Sequence, residues 1–221
     1  MAVLPADDGV LVRPALRGVL HRYAAVAFAA GFGVLVASAG AAALRPWLAV
    51  HGTSVTAMLA VSAVYHSGRL SPAARATFKR IDHSTILLAI AGSYTGVVGL
   101  AVEGGSRVWM LGAVWVLAGA GMAIRMLWLD APYPVVAAVY VAVGWVAALD
   151  LDALTGALTA GELVLVVAGG VLYTLGAVVY ALHAPNPWPR TFGYHEVFHA
   201  LVVLAAAAHL VTVSLIAGRL G

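Results

Sequence analysis

The sequence predicts an all-α integral membrane protein, a seven-helix transmembrane bundle with a cytoplasmic N-terminus and its C-terminus outside. Three observations carry that prediction. Hydrophobic residues make up 63% of the chain and charged residues 10%, with a mean hydropathy of +0.98, against roughly 45–50% and ~25% in soluble domains. Seven stretches are long enough to span the bilayer, which takes ~20 mostly apolar residues at 1.5 Å per residue. Basic residues gather beside alternate ends of those stretches, the pattern left by retention of Lys and Arg on the cytoplasmic side.

The first predicted span, Tyr23 to Leu44, opens after a charged stretch holding Asp7, Asp8, Arg13, Arg17 and Arg22. Residues 1–22 therefore read as a cytoplasmic N-terminal segment and 23–221 as the transmembrane domain, with no cleaved signal peptide expected. Arg45 separates the first span from the second, Trp47 to His66, and a basic stretch with Arg69, Arg75, Lys79 and Arg80 precedes the third, Asp82 to Val102. The fourth, Val108 to Leu127, follows Glu103 and Arg107. The fifth runs from Pro134 to Leu149, the sixth from Glu162 to Leu182, and the seventh from His195 to Ala217. Arg125, counted with the fourth-to-fifth loop, and Arg190, with the sixth-to-seventh, fall on the same side as the N-terminus, whereas Arg45, Arg107 and Arg219 fall on the other, which fixes the predicted direction. Such a chain is a multi-pass protein of the cell inner (plasma) membrane, in contact with membrane lipids. Nothing in it supports nucleic-acid binding, and the oligomeric state is left open. Small residues at Gly112, Gly119, Gly121, Gly169, Gly170 and Gly176 suggest faces of close helix contact. Trp47, Trp109, Trp128, Tyr133 and Trp188 read as anchors at headgroup depth.

Ionisable groups inside spans are costly and point to a site by default. Three clusters fall at one predicted depth, beside the cytoplasmic face: SAVYH (Ser62 to His66), RIDHS (Arg80 to Ser84) and HEVFH (His195 to His199). The four-residue spacing puts Ser62 with His66, and His195 with His199, on common helix faces. With no cysteine in the chain, soft-metal chemistry has only imidazole and carboxylate to use. Two histidines one turn apart form a recurring metal pair, and a third from another helix, for which His66 is the candidate, leaves an open position as in catalytic zinc sites.

Each of these residues also has a plainer reading. The histidines could be interfacial, Asp82 could cap its helix or pair with Arg80 or Lys79, and Ser62 could bond its own backbone one turn back. His83 could face headgroups or the site. Glu196 lies about 100° round the helix from His195 and points to a neighbouring helix or to water. His209 lies roughly 15 Å deeper than His199, too far for the same ion, and suits a buried interhelical hydrogen bond. His21, His51 and His183 read as interfacial.

SAVYH in the second span, RIDHS entering the third, GGVLYTLGAVVYA in the sixth and FGYHEVFHALVVLAAAAH in the seventh together resemble the haemolysin III family, within the progestin and adipoQ receptor superfamily. Through it the chain is similar to a wider group of membrane hydrolases that includes alkaline ceramidases. The resemblance implies a zinc ion held by His66, His195 and His199, Asp82 beside the water that the metal activates, and Ser62 supporting the site. Phe198 stands where many bacterial relatives carry Trp.

Three neutral imidazoles leave zinc its double charge, which acidifies bound water and polarises a carbonyl. Asp82 would then act as proton carrier and Ser62 or His83 as a hydrogen-bond donor, on an amphiphilic lipid amide or ester entering from the inner leaflet. Two other function classes compete with this metal-dependent hydrolase. One is the cytolytic or pore-forming protein that the family name implies, although no repeated ring of carboxylates or carbonyl-rich filter is evident. The other is a receptor-like regulator in which the zinc is structural; three histidines leave a vacant position, and a fourth ligand from Asp82 would close it.

Overall fold

A computed structural model of the chain describes residues 14–68, 70–128 and 130–221. Asp7, Asp8, Arg13 and Arg69, used above to read charge, lie outside the described residues. The helices are α1 (Val19–Ser38), α2 (Arg45–Tyr65), α3 (Pro72–Ala101), α4 (Gly104–Leu127), α5 (Tyr133–Gly144), α6 (Leu151–Ala157), α7 (Ala160–Leu182) and α8 (Tyr194–Leu220). Among the described residues, seven segments are long and apolar enough to cross a membrane, α5 and the short α6 together making the fifth. The predicted seven-helix bundle is the fold observed.

Three boundaries differ from the expected ones, each for a local reason. The predicted first span overshoots, because α1 ends at Ser38 and a 3-10 turn at Ala42–Leu44 leads into α2, with Pro46 in its first turn. The third helix starts ten residues before Asp82: Ser71 accepts from the Ala74 N–H at 3.3 Å and Pro72 opens the helix, so Arg75, Lys79 and Arg80 ride on its first turns rather than in a loop. The fifth span breaks after Gly144, where the Tyr94 hydroxyl donates to the Gly144 carbonyl at 2.9 Å and accepts from the Ala147 N–H at 2.7 Å. Asp150 then caps α6 through the Ala153 N–H while also accepting from Ser106 and Trp109.

Each helix buries one stripe. Ala24, Phe28 and Phe32 do so on α1, and Met110, Val114, Ala118 and Gly121 on α4, spacings that keep one face inward. α3 is the exception, buried without interruption from Ala91 to Leu100, because it packs on α2, α4, α5 and α8. α1 closes the bundle by touching both α2 and α8. Large apolar side chains such as Val34, Val116, Val164 and Leu182 stay exposed on the outer faces, where hydrocarbon solvates them.

Small residues do mediate close approach, but only some of those expected. Gly121 takes Leu87 and Gly169 takes His209, whereas nothing lies within 4 Å of a Cβ built at Gly112 or Gly119. The decisive stripe is Gly92, Gly96 and Gly99 on α3, which admits Ser54, His51 and Trp47 of α2. A Cβ at Gly96 would lie 2.6 Å from His51 Nδ1. Gly96→Val is therefore expected to lower stability in detergent by about 1–3 kcal/mol or more, while Gly112→Ala leaves it level or slightly raised. Thermal unfolding of both variants checks this, and equal midpoints would contradict the packing.

Candidate metal centre

His66 caps α2, and its N–H still bonds the Ser62 carbonyl at 2.9 Å, so its ring projects from one further helical turn. His195 and His199 lie one turn apart at the start of α8. All three are buried, His199 to 2% exposure. The His195 and His66 Nε2 atoms stand 3.1 Å apart, and one donor atom from each of the three rings lies within 4.8 Å of the others. Ligands at ~2.0–2.1 Å from a tetrahedral ion are about 3.3 Å apart, so modest ring rotations fit this set to one divalent ion. Among the described residues this is the one group of convergent donors, and Asp82 is not a member.

Asp82 lies beside the trio. One carboxylate oxygen is 3.9 Å from His66 Nε2, too long for a hydrogen bond, and the Ser62 hydroxyl lies within reach of the carboxylate. Both residues are buried. Thus α2 delivers a histidine and a hydroxyl, α3 a carboxylate and α8 two histidines, all at one end of the bundle.

The segment leading into α1 holds this arrangement from outside. Arg17, 8% exposed, pairs with Glu196, 1% exposed, and the second oxygen of Glu196 accepts from the Gly193 N–H at 2.9 Å. The carboxylate therefore faces a neighbouring segment, one of the two directions its angle allowed, and both oxygens are engaged in holding the start of α8. Gly18 has φ +79° and sits so close that a Cβ would lie 2.7 Å from His66 Cβ, a position only glycine fills without strain. His21 is not interfacial as expected: it is 2% exposed and stacks on His199 with centroids 3.8 Å apart. The Ala15 and Leu16 N–H groups bond the Arg190 and Thr191 carbonyls at 3.0 and 3.2 Å, tying this segment to the α7–α8 connection. Sequence reading missed this clamp, since Arg17 and Glu196 are 179 residues apart and no local pattern joins them.

Removing one partner of a buried pair strands the other charge, at a cost of about 3–5 kcal/mol. Arg17→Met is accordingly expected to lower the thermal midpoint sharply. Arg17→Met with Glu196→Gln recovers most of the loss, because glutamine still accepts from Gly193. An unchanged midpoint in the single variant would show that the pair holds nothing.

A family profile described as haemolysin-III related matches residues 10–210. The chain belongs to the haemolysin-III-related family. It is 27% identical over 158 residues to "Hemolysin-3" of Bacillus cereus, covering 72% of this chain and 69% of that protein. It is also 28% identical over 128 residues to "Hemolysin-3 homolog" of Bacillus subtilis (strain 168), covering 58% of this chain and 57% of that one. The matched region contains all five predicted site residues, Ser62, His66, Asp82, His195 and His199.

In this haemolysin-III-related chain the site opens into a cavity of about 590 Å³ running between α3, α5, α7 and α8. Ser62, His66, Asp82, His195 and His199 line one end, and Ile86, Ile90, Val97, Leu154 and Leu163 line the continuation. His83 reaches the cavity too, but its Nδ1 accepts from Arg125 at 2.5 Å. Arg125 is not a loop cation; it is 5% exposed on the last turn of α4 and also donates to the Trp128 carbonyl at 2.8 Å. Two further expectations for histidines fail. His51 is fully buried rather than interfacial, wedged against Phe32 and Gly96. His209 is deep as expected, yet neither ring nitrogen has a hydrogen-bond partner among the described residues; it packs into the gap at Gly169 and against Tyr173.

Proposed function

We propose that this protein is a metal-dependent hydrolase of lipid amide or ester bonds, with His66, His195 and His199 holding a zinc ion near the cytoplasmic face of the plasma membrane. The distribution of described basic residues supports that direction: Arg17, Arg22, Arg75, Lys79, Arg80, Arg125 and Arg190 lie toward the site-bearing end, and Arg45, Arg107 and Arg219 toward the other. The observation that carries the reading is a carboxylate, Asp82, beside but outside a three-imidazole donor set, at the end of an apolar cavity.

A divalent ion on three neutral imidazoles supplies a Lewis acid that polarises a carbonyl and acidifies water. The chain's own groups supply the rest. Asp82 takes a proton from the attacking water and returns it to the departing amine or alcohol, as the acyl carbon exchanges its bond to nitrogen or ester oxygen for one to the water oxygen. The Ser62 hydroxyl holds that carboxylate in place from α2. The apolar walls at Ile86, Ile90 and Val97 accept an acyl chain, exclude water and bring the carbonyl to the histidines. The buried Arg17–Glu196 pair fixes the first turn of α8 and so the spacing of His195 and His199.

The test is release of fatty acid from a panel of long-chain amides and esters by purified, metal-loaded protein. Release by the wild type is expected; a panel-wide lack of release would remove the hydrolase reading. The name of the Bacillus relatives favours a second reading, cytolysis. Dye release from lipid vesicles, equal for wild type and His199→Ala, would support it over hydrolysis.

A further inference from the structure

We propose that the cavity selects single-chain lipids with an acidic head group, phosphate or carboxylate, which Arg75 and Lys79 bind on the cytosolic side of the histidine cluster. Three cations at this end of the bundle, Arg17, Arg80 and Arg125, are already engaged. Arg17 is committed to Glu196. Arg80 donates to the Met126 and Ala76 carbonyls, and Arg125 to His83 and the Trp128 carbonyl. Arg75 and Lys79 differ. Arg75 lies over the Tyr65 ring, 5.9 Å from its centroid, and meets no carboxylate among the described residues. Lys79 reaches only Asp130, at 3.5 Å, whose side chain is 91% exposed, a pairing worth little in solvent. Both cations line the cavity.

Their positions on α3 give the order of a ligand. Arg75, Lys79, Asp82, Ile86, Ile90, Ser93 and Val97 recur every three or four residues and all line the cavity, so they form one stripe. Along the helix axis Lys79 is about 4.5 Å and Arg75 about 10.5 Å from Asp82 on one side, while Val98 is about 24 Å away on the other. Two cations, then the site, then a long apolar run match an amphiphile with an anion a few bonds from its labile group and one long chain beyond. A guanidinium and an ammonium one turn apart can share the oxygens of one phosphate or carboxylate.

Head-group selection is a binding property and stands without turnover; that such a lipid is also cleaved rests on the hydrolase reading above. The experiment measures binding of lysophosphatidic acid, lysophosphatidylcholine and monoacylglycerol, all carrying the same palmitoyl chain, to full-length protein in neutral-lipid nanodiscs. Lysophosphatidic acid is expected to bind about tenfold or more tightly than the other two, with the preference shrinking as salt rises. Arg75→Gln with Lys79→Gln removes the preference and leaves monoacylglycerol binding in place. The exchange Arg75→Lys with Lys79→Arg, which conserves charge, retains it. His199→Ala also retains it, so a protein that selects head groups yet releases no fatty acid would sink the hydrolase reading alone. Equal affinities for the three lipids, a preference surviving in the double glutamine variant, or displacement by inorganic phosphate at lipid-like concentration would overturn the proposal. The last of these outcomes would mark an ion site without lipid selection.

Discussion

Replacing His199 by alanine is expected to empty the proposed metal centre. The ring belongs to a buried trio whose donor atoms converge within 4.8 Å, and two histidines from different helices make a weak chelate for zinc, which takes at least three protein ligands in both structural and catalytic sites. Loss of a group that merely supports a ligand costs 10–100-fold in metal affinity, so loss of a ligand itself should cost about 100-fold or more. Elemental analysis of the purified variant beside the wild type reads this directly. The bundle should survive, because the core stripe of α8 continues through Val202, Ala206, Val213 and Ile216. A folded variant that retains the wild-type metal content would remove His199 from the donor set. His209→Ala serves as the matched control, since it lies ten residues further along α8 and outside the trio.

Asp82→Asn is expected to separate binding from chemistry. The amide keeps the shape and the hydrogen bond with Ser62 but cannot carry the proton, so fatty-acid release should fall by about 10²–10⁴-fold, the usual worth of a positioned general base. Metal content should stay at the wild-type level, because Asp82 stands beside the donor set rather than in it. A fall in metal together with activity would make Asp82 a fourth ligand and favour a structural ion. Undiminished release would leave the carboxylate with no part in the reaction. Ser62→Ala should give a smaller fall of the same kind, since Ser62 acts through the carboxylate that it holds.

The spans and the histidine trio were legible in the sequence for one physical reason: hydrocarbon penalises unpaired polar groups, so apolar length marks each crossing and any ionisable group within it stands out. Ser62, His66, Asp82, His195 and His199 were visible in this way, and the alternation of charged ends places them at one surface. What stayed hidden depends on contacts between distant parts of the chain. The break at Gly144 is set by the Tyr94 hydroxyl, 50 residues earlier. Glu196 gains its partner from Arg17, in a segment that reads as a charged tail. His21 and His51 fall near predicted span ends and look interfacial, yet Gly18 and Gly96 let neighbouring backbones approach closely and the rings are enclosed. Arg125 looked like a loop cation because the charge at a helix end says nothing of which way the side chain turns; here it turns inward, to His83.

X-ray absorption at the zinc edge of the purified wild-type protein addresses the metal centre most directly. A single population of zinc with three imidazole nitrogens at ~2.0–2.1 Å and one exchangeable oxygen ligand is the predicted spectrum. A four-ligand shell without an exchangeable oxygen, fewer than three imidazoles, or a protein that purifies without metal and takes none up would contradict it.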